Sequence, residues 1–303
     1  MKKTVIYIFW YLLSLLPLRI LYFLSDILKP IVYYLVRYRR KVVHKNLLLA
    51  FPEKTNGERK KIEKRYYSFF CDYIVETVKL ISISKEQLMR RMTFSGVDKM
   101  IKDMDDNDKN FCFVYLGHYG NWEWIASLPM WSTNEKVRFG QIYHPLRNKA
   151  MDQLFLQVRG RFHGESIPMK TTLRRIIELK RERQKMIIGF ISDQLPKWNS
   201  IHHFSPFFGQ ETAVFTGTEQ IGKQIDAIIY YGEVTHPKRG YYHCEFKRIT
   251  ITPQSMPDFQ ITDIYMKHLE KMIQETPDIW LWSHDRWKRT KEEWVQRQKE
   301  ETK

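Results

Sequence analysis

The sequence has few cysteines, and they stand far apart. Its 3 thiols form no Cys-x-x-Cys pair, which argues against a disulfide framework and against a cysteine zinc site. They are Cys71, Cys112 and Cys244. His202, His203 and His236 have no carboxylate or cysteine cluster at ligand spacing, so we expect no metal. These features favour a reducing cytoplasmic setting.

Acidic residues are also under-represented. The chain of 303 residues has 34 Asp and Glu against 50 Lys and Arg, a formal net charge of +16 at pH 7. Such a surface attracts phosphates, an anionic bilayer or an acidic protein. Because no nucleic-acid-binding motif accompanies the charge, we expect no nucleic acid partner. A non-catalytic basic membrane-binding protein stays as an alternative interpretation.

A long uninterrupted apolar run is absent as well. Residues 5–18 are apolar apart from Ser14, but a bilayer span needs ~20 such residues, and Arg19 follows. Basic residues flank the run on both sides, so the positive-inside rule gives no direction. No small-residue cleavage site marks a signal peptide. We predict a membrane anchor over residues 1–40, and both a span and an in-plane helix or hairpin remain open.

The remaining chain predicts an α/β fold with a mixed, mostly parallel central sheet flanked by helices. We expect a helical lead-in over residues 41–107, an α/β domain over 108–290 and a charged tail over 291–303. Short apolar runs predict strands at Phe111–Leu116, Val137–Tyr143, Met186–Ser192, Ala227–Gly232 and Tyr241–Ile251. Helical spacing predicts helices at Asn121–Leu128, Lys149–Arg161, Thr171–Arg183, Ala213–Gln224 and Ile261–Glu275.

One short stretch combines a histidine and a carboxylate directly after a predicted strand. His118 and Glu123 are 5 positions apart, so they can face each other only if the backbone bends, and Gly120 permits a bend. Asn121 can cap a following helix, whose first turn would favour the Glu123 carboxylate. An imidazole held by a carboxylate is a general base for a hydroxyl. The alternative is an ordinary loop histidine.

Several blocks along the chain resemble one known family. His118-Tyr119-Gly120-Asn121-Trp122-Glu123 is similar to the His-Phe-Gly-Asn-Trp-Glu hallmark of the lipid A late acyltransferases, within the lysophospholipid acyltransferase superfamily. Further matching blocks follow in order and cover nearly the whole chain. They begin at Arg40, Tyr143, Arg159, Asp193, Pro206 and Pro277. Tyr119 replaces the usual Phe, and His144 stands where many relatives have Arg.

The resemblance implies a membrane-bound enzyme that moves a fatty acyl chain from an acyl-carrier-protein or acyl-CoA thioester to a lipid hydroxyl. No other cofactor is implied. The expected acceptor is a lipid A precursor, and a lysophospholipid or lyso-aminolipid is the alternative. The implied location is the cytoplasmic face of the bacterial inner membrane. No serine or cysteine nucleophile is required, and a Gly-x-Ser-x-Gly motif is missing, which argues against an acyl-enzyme route.

By the same resemblance His118 takes the proton from the acceptor hydroxyl and Glu123 orients the imidazole. The oxyanion needs a stabilising group, which is either the backbone N–H groups at the helix start at Asn121 or a nearby cation. One arginine of the Arg159 and Arg161 pair would be functional and, with Arg147, would bind substrate phosphate. Asp193 would be a further carboxylate near the site. The competing interpretation is ordinary surface charge for the arginines and a turn residue for Asp193.

Overall fold

The computed structural model describes residues 2–301 of the chain, with the side chains of residues 8–300. Nine strands lie in this range. They are β1 Met92–Ser95, β2 Phe111–Leu116, β3 Val137–Tyr143, β4 Glu165–Pro168, β5 Lys185–Ile191, β6 Phe204–Phe207, β7 Gln210–Ala213, β8 Ile228–Lys238 and β9 Tyr241–Thr250.

Eleven α-helices lie in the same range. They are α1 Lys2–Leu15, α2 Leu18–Pro30, α3 Arg40–Ala50, α4 Asn56–Lys79, α5 Lys85–Met89, α6 Val97–Asp106, α7 Lys149–Gly160, α8 Thr172–Arg181, α9 Gly217–Ile225, α10 Gln260–Glu275 and α11 Lys291–Glu301. A π-helical turn, Ile31–Leu35, continues α2.

Seven strands form one sheet in the order β1-β9-β8-β2-β5-β3-β4. Every neighbouring pair is parallel except β8 and β9, which form an antiparallel hairpin. The central strand β2 is apolar and buried along its whole length, because a parallel strand covered on both faces meets no water. The prediction of a mixed, mostly parallel sheet flanked by helices is confirmed.

Two helix predictions were wrong in their bounds or type. The stretch predicted as the α-helix Asn121–Leu128 is a turn followed by the 3₁₀-helix Trp124–Trp131, where Pro129 removes a backbone donor. The stretch predicted from Ala213 belongs to β7 as far as that residue, and α9 begins only at Gly217. Strand β1, inside the predicted helical lead-in, pairs with β9 at the edge of the sheet.

The register of two central strands positions the candidate site. Leu116 at the end of β2 pairs with Ile191 at the end of parallel strand β5. His118 and Asp193 each lie 2 positions beyond that pair, so both emerge at the carboxyl edge of the sheet. Ligand sites of open α/β sheets lie at this edge.

Two polar residues of helix α2 form hydrogen bonds to α4. Ser25 donates to Asp72 over 2.6 Å, and the Tyr22 hydroxyl donates to Glu76 over 2.8 Å. Apolar side chains on the opposite face of α2 are exposed, including Phe23 with 65% of its surface. Leu18 and Leu21 are buried beside Ser25, so the apolar residues of α2 are divided between the core and an exposed face.

No single helix among the described residues is long and apolar enough to cross a membrane. Ile8–Leu15 and Leu18–Leu35 satisfy the length and composition together, but a bend of 114° separates them.

Glu76 is the buried acceptor that joins α4 to its surroundings. It receives hydrogen bonds from the Tyr22 and Tyr242 hydroxyls and from the Asn121 amide, at 2.8, 2.9 and 2.7 Å. Burial raises the pKa of Glu76 to about 7, although these three donors favour the ionised form. The same carboxylate therefore contacts the N-terminal helix, the sheet and the loop of the candidate site.

Ionisation of Glu76 should make stability pH-dependent. Because the folded-state pKa of about 7 lies above the ordinary 4.5, the folded chain holds the extra proton between these values and stability falls as pH rises. Glu76→Gln should flatten this fall in detergent-solubilised protein, measured as Tm against pH. The exposed control Glu135→Gln should keep the wild-type slope. Equal slopes for Glu76→Gln and the wild type would contradict the assignment.

Candidate functional site

The imidazole of His118 is held by a buried carboxylate from the neighbouring strand end. Nδ1 of His118 lies 2.6 Å from Oδ1 of Asp193, whose side chain is 2% exposed. Because an ionised carboxylate can only accept, Nδ1 carries the proton and donates it to Asp193. The lone pair is then on Nε2, which makes His118 a base toward any group that faces that atom.

Asp193 itself is fixed by two further donors. Its Oδ2 accepts the backbone N–H of His118 at 2.9 Å and the indole N–H of Trp280 at 2.8 Å. Burial alone would raise the pKa of Asp193, but the His118 ring and these hydrogen bonds lower it to about 2. The carboxylate is thus ionised and geometrically locked at neutral pH.

A backbone pairing brings Trp280 to this position. The Gly120 N–H donates to the Ile279 carbonyl at 2.9 Å, and the Leu281 N–H donates to the His118 carbonyl at 3.0 Å. Gly120 has φ +62°, and a Cβ there would lie 2.8 Å from Cγ1 of Val234. The predicted bend at Gly120 is therefore present, and only glycine fits it.

The structure corrects the expected pairing of His118 with Glu123. Glu123 instead accepts two hydrogen bonds from Arg159, from Nε at 2.9 Å and Nη2 at 2.7 Å. Glu123 precedes a 3₁₀-helix, so the macrodipole of an α-helix does not hold it. Its side chain is 5% exposed, and a buried carboxylate of this kind needs its cation. Arg159 supplies it from α7.

Two of the expected substrate-binding residues, Asn121 and Arg161, form hydrogen bonds within the fold instead. Asn121 donates to Glu76 at 2.7 Å and caps Trp124 N–H at 3.1 Å, and it is 1% exposed. Arg161 donates to the carbonyls of Leu80 and Ile83. These contacts join the site loop and α7 to the end of α4. Neither side chain lines the cavity described below.

Arg147 and His144 differ in their position relative to the cavity. Both are exposed in the segment between β3 and α7. His144 lines the mouth of the cavity, whereas Arg147 does not. The expectation that Arg147 binds substrate phosphate is therefore not supported by a position in the cavity wall.

Three residues near the pair were missed by the sequence reasoning. Gln194 places its amide nitrogen 3.3 Å from Nε2 of His118. His284 accepts the Leu195 N–H at 3.0 Å, and burial lowers the pKa of His284 to about 4, so it is neutral. Arg286 is fully buried below Phe207, where burial lowers its pKa to about 10 and Asp193 opposes that fall. Gln194 lies in the family-like block that begins at Asp193, and His284 and Arg286 lie in the one that begins at Pro277. Membership of these blocks was the sequence signal that could have identified them.

A cavity of about 780 Å³ opens beside His118 and runs under the sheet. Its volume lies within the range of ligand pockets, ~300–1,000 Å³. On β5, Ile187, Gly189 and Ile191 all face it, so it follows the strand inward for ~13 Å. Most of the wall is apolar, and it includes Val114, Leu116, Phe139, Ile142 and Phe246.

The cavity wall is polar around His118 and apolar over most of the rest of its lining. His118, Gln194, Glu123 and Arg159 line the polar end. Trp122 packs edge-on against the His118 ring with 5.2 Å between ring centroids. The arrangement can deprotonate a polar group next to a long apolar substituent, which the deeper cavity would enclose.

Comparisons of the sequence with known proteins point to one family. A family model described as bacterial lipid A biosynthesis acyltransferase matches residues 3–289. The chain is 24% identical over 285 residues to the lipid A biosynthesis lauroyltransferase of Escherichia coli (strain K12), covering 90% of this chain and 87% of that protein. It is 25% identical over 285 residues to the lipid A biosynthesis palmitoleoyltransferase of the same organism, covering 90% and 86%.

The Glu123–Arg159 pair gives a stability prediction. Removing one partner leaves a buried unpaired charge, so Glu123→Leu and Arg159→Met should each lower the free energy of unfolding by about 3 kcal/mol. The double variant should lose less than the two single variants together, which a thermal-unfolding double-mutant cycle measures. The exposed pair Arg174–Glu178 serves as a control with little coupling. Additive losses at Glu123 and Arg159 would show that they do not act as a pair.

Proposed function

Because the chain belongs to the bacterial lipid A biosynthesis acyltransferase family, we propose that it moves a fatty acyl chain from a carrier thioester to a hydroxyl of a lipid A precursor. The observation that carries the proposal is the His118–Asp193 pair at the polar end of the apolar cavity. The pair supplies a base, and the cavity supplies room for an acyl chain. Glu123 has a supporting role through Arg159.

The reaction follows from the tautomer of His118. Nε2 takes the proton of the acceptor hydroxyl while its oxygen attacks the thioester carbonyl. The resulting imidazolium is stabilised by Asp193, which stays ionised. When the tetrahedral intermediate collapses, the carbon–sulfur bond breaks and the imidazolium returns its proton to the thiolate. The products are an ester and a free thiol on the carrier, without an acyl-enzyme.

The developing oxyanion needs a hydrogen-bond donor close to the base. Gln194 is the side-chain amide next to Nε2 of His118, and it lines the cavity. It takes the place of the backbone N–H groups expected from an α-helix that starts at Asn121, where the structure has a turn before the 3₁₀-helix at Trp124. A preorganised donor of this kind typically contributes about 10²-fold or more to turnover.

The donor is acyl-carrier protein or acyl-CoA in this proposal. Both are anionic, and the net charge of +16 favours either of them. Both present the acyl group as a thioester. The same base, His118, and the same hydrogen-bond donor, Gln194, can therefore act with either carrier. No further cofactor enters the reaction.

Membrane attachment is the remaining part of the proposal. Helices α1 and α2 expose Phe9, Leu12, Phe23 and Ile27 to at least 47% of their surface, a face suited to the boundary of a bilayer. Because the carrier thioesters are cytoplasmic, we place the domain on the cytoplasmic face of the inner membrane. Residues 1–40 act as the anchor and residues 108–290 carry the catalysis.

One observation favours a different acceptor, a lysophospholipid or lyso-aminolipid. Among the described residues that line the cavity, Arg159 is the only lysine or arginine, and Glu123 neutralises it. Arg147 lies outside the wall. A heavily phosphorylated acceptor would therefore have to place its phosphates outside the cavity.

Lipid mass spectrometry of cells with the wild-type gene, without it, and with His118→Ala tests the function. Loss of the gene and His118→Ala should both give lipid A with one acyl chain fewer, since turnover should fall by about 10³-fold or more. The exposed control His202→Ala should restore the wild-type lipid. Unchanged lipid A with an altered phospholipid or aminolipid would support the second acceptor. A normal lipid profile in the His118→Ala strain would contradict both.

Gly189 should set how deep the acyl chain reaches. A Cβ at this position would lie 3.2 Å from Cδ1 of Leu116, so a larger side chain must project into the cavity. Gly189→Val should shift the product toward shorter acyl chains by about 2–4 carbons, since each methylene needs its own space in a packed pocket. Ile188→Val, on the other face of β5, is the matched control. Unchanged chain length in Gly189→Val would place the acyl chain elsewhere.

A further inference from the structure

A second recess lies below the bend between α1 and α2. It has a volume of about 450 Å³ and shares no lining residue with the cavity at His118. We call it the headgroup pocket; its polar lining consists of Arg19, Lys79, Gln87, Arg90, Arg91 and Tyr241. Its lining includes four cationic residues and no carboxylate. Such a concentration of one charge points to an anionic ligand.

Two of the cations are fixed and two are available. Lys79 donates to the Ser14 and Leu16 carbonyls at 2.8 and 3.1 Å, where α1 ends. Arg91 donates to the Gly240 carbonyl at 3.1 Å and lies over the Tyr241 ring. Both are therefore held in place in the pocket wall.

Arg19 and Arg90 are exposed, and in the part of the chain that the structure describes neither forms an ion pair. Their guanidinium groups can therefore turn toward a ligand without breaking an existing contact. A planar guanidinium binds phosphate oxygens in pairs, so two of them suit a phosphate group.

The amino end of α2 adds to the positive potential of the headgroup pocket. Helix α2 begins at Leu18, and its cap residue Pro17 offers no side-chain hydrogen bond to the first turn. The first N–H groups of a helix lack partners within it, and the macrodipole is positive there. Pro17, Leu18 and Arg19 all line the pocket, so this end of α2 meets the same space as Arg90 and Arg91.

The pocket lies between two exposed apolar faces. Phe9 and Leu12 of α1 are 62% and 59% exposed, and Phe23 and Ile27 of α2 are 65% and 47% exposed. The bend at Pro17 separates the two faces, so an acyl chain and a headgroup can be held at adjacent places. Basic residues next to an apolar surface are suited to the phosphate level of a bilayer.

We propose that the headgroup pocket binds the phosphate of an anionic bilayer phospholipid, such as phosphatidylglycerol, and so fixes the enzyme's depth and orientation on the membrane. Arg19 and Arg90 contact the phosphate, and the amino end of α2 and the fixed cations Lys79 and Arg91 line the same pocket. The lipid's acyl chains lie along the apolar faces of α1 and α2. This site is additional to the acyl-transfer site and does not depend on the proposed reaction.

Native mass spectrometry of the full chain in detergent, titrated with short-chain phosphatidylglycerol, tests the proposal. One lipid should bind to the wild type, and Arg19→Gln/Arg90→Gln should weaken that binding by about tenfold or more, the effect of losing charge-assisted hydrogen bonds. The matched control is Arg138→Gln/Arg181→Gln, two exposed arginines that do not line the pocket and carry the same charge change. The control should bind as the wild type does.

Three outcomes would overturn the proposal. If the control pair of substitutions weakens phosphatidylglycerol binding equally, diffuse surface charge and not the headgroup pocket attracts the lipid. Equally tight binding of short-chain phosphatidylcholine would show no preference for an anionic headgroup. Inorganic phosphate that binds as tightly as the lipid, and whose binding is lost in the same variant, would identify a soluble anion as the ligand.

Retained acyl transfer in Arg19→Gln/Arg90→Gln, measured with a detergent-dispersed acceptor, shows that the variant is folded and that the two sites are separate.

Discussion

The hydrogen bond between His118 and Asp193 is the contact on which the site depends. It forms because β2 and β5 are adjacent parallel strands whose ends are in register, so residues 2 positions beyond each end meet. Trp280 and the backbone of His118 lock the same carboxylate. The tautomer of the imidazole, the ionisation of Asp193 and the direction in which Nε2 faces the cavity all follow from this one arrangement.

The His-x4-Glu motif has two distinct jobs in this fold. In the proposed reaction His118 is the base, whereas Glu123 binds Arg159 and so joins the loop to α7 across the polar end of the cavity. Asn121, between them, ties the loop to Glu76 in α4. In the proposed reaction the motif therefore supplies a base together with the contacts that hold its loop in shape. Loss of Glu123 would then act by displacing the cavity wall.

Much of this could be predicted from the sequence, and the failures have physical causes. Apolar runs predicted β2, β3 and β5 nearly to the residue, because strands covered on both faces carry little else. The ends of these strands placed His118 and Asp193 at one edge. The partners of Glu123 and Asp193 could not be predicted, since Arg159 and Trp280 arrive from distant segments through packing that leaves no local pattern. The 3₁₀-helix after Glu123 was missed because the apolar periodicity was interpreted as an α-helix.

The central claim is that Asp193, and not Glu123, orients the base. Steady-state kinetics of acyl transfer by Asp193→Asn and Glu123→Gln test it most directly, because Asn can hold the ring while favouring the wrong tautomer. We expect kcat of Asp193→Asn to fall by about 10³–10⁴-fold with KM nearly unchanged, and a clearly smaller fall in kcat for Glu123→Gln. A kcat close to that of the wild type in Asp193→Asn, with Glu123→Gln inactive but folded, would contradict the account.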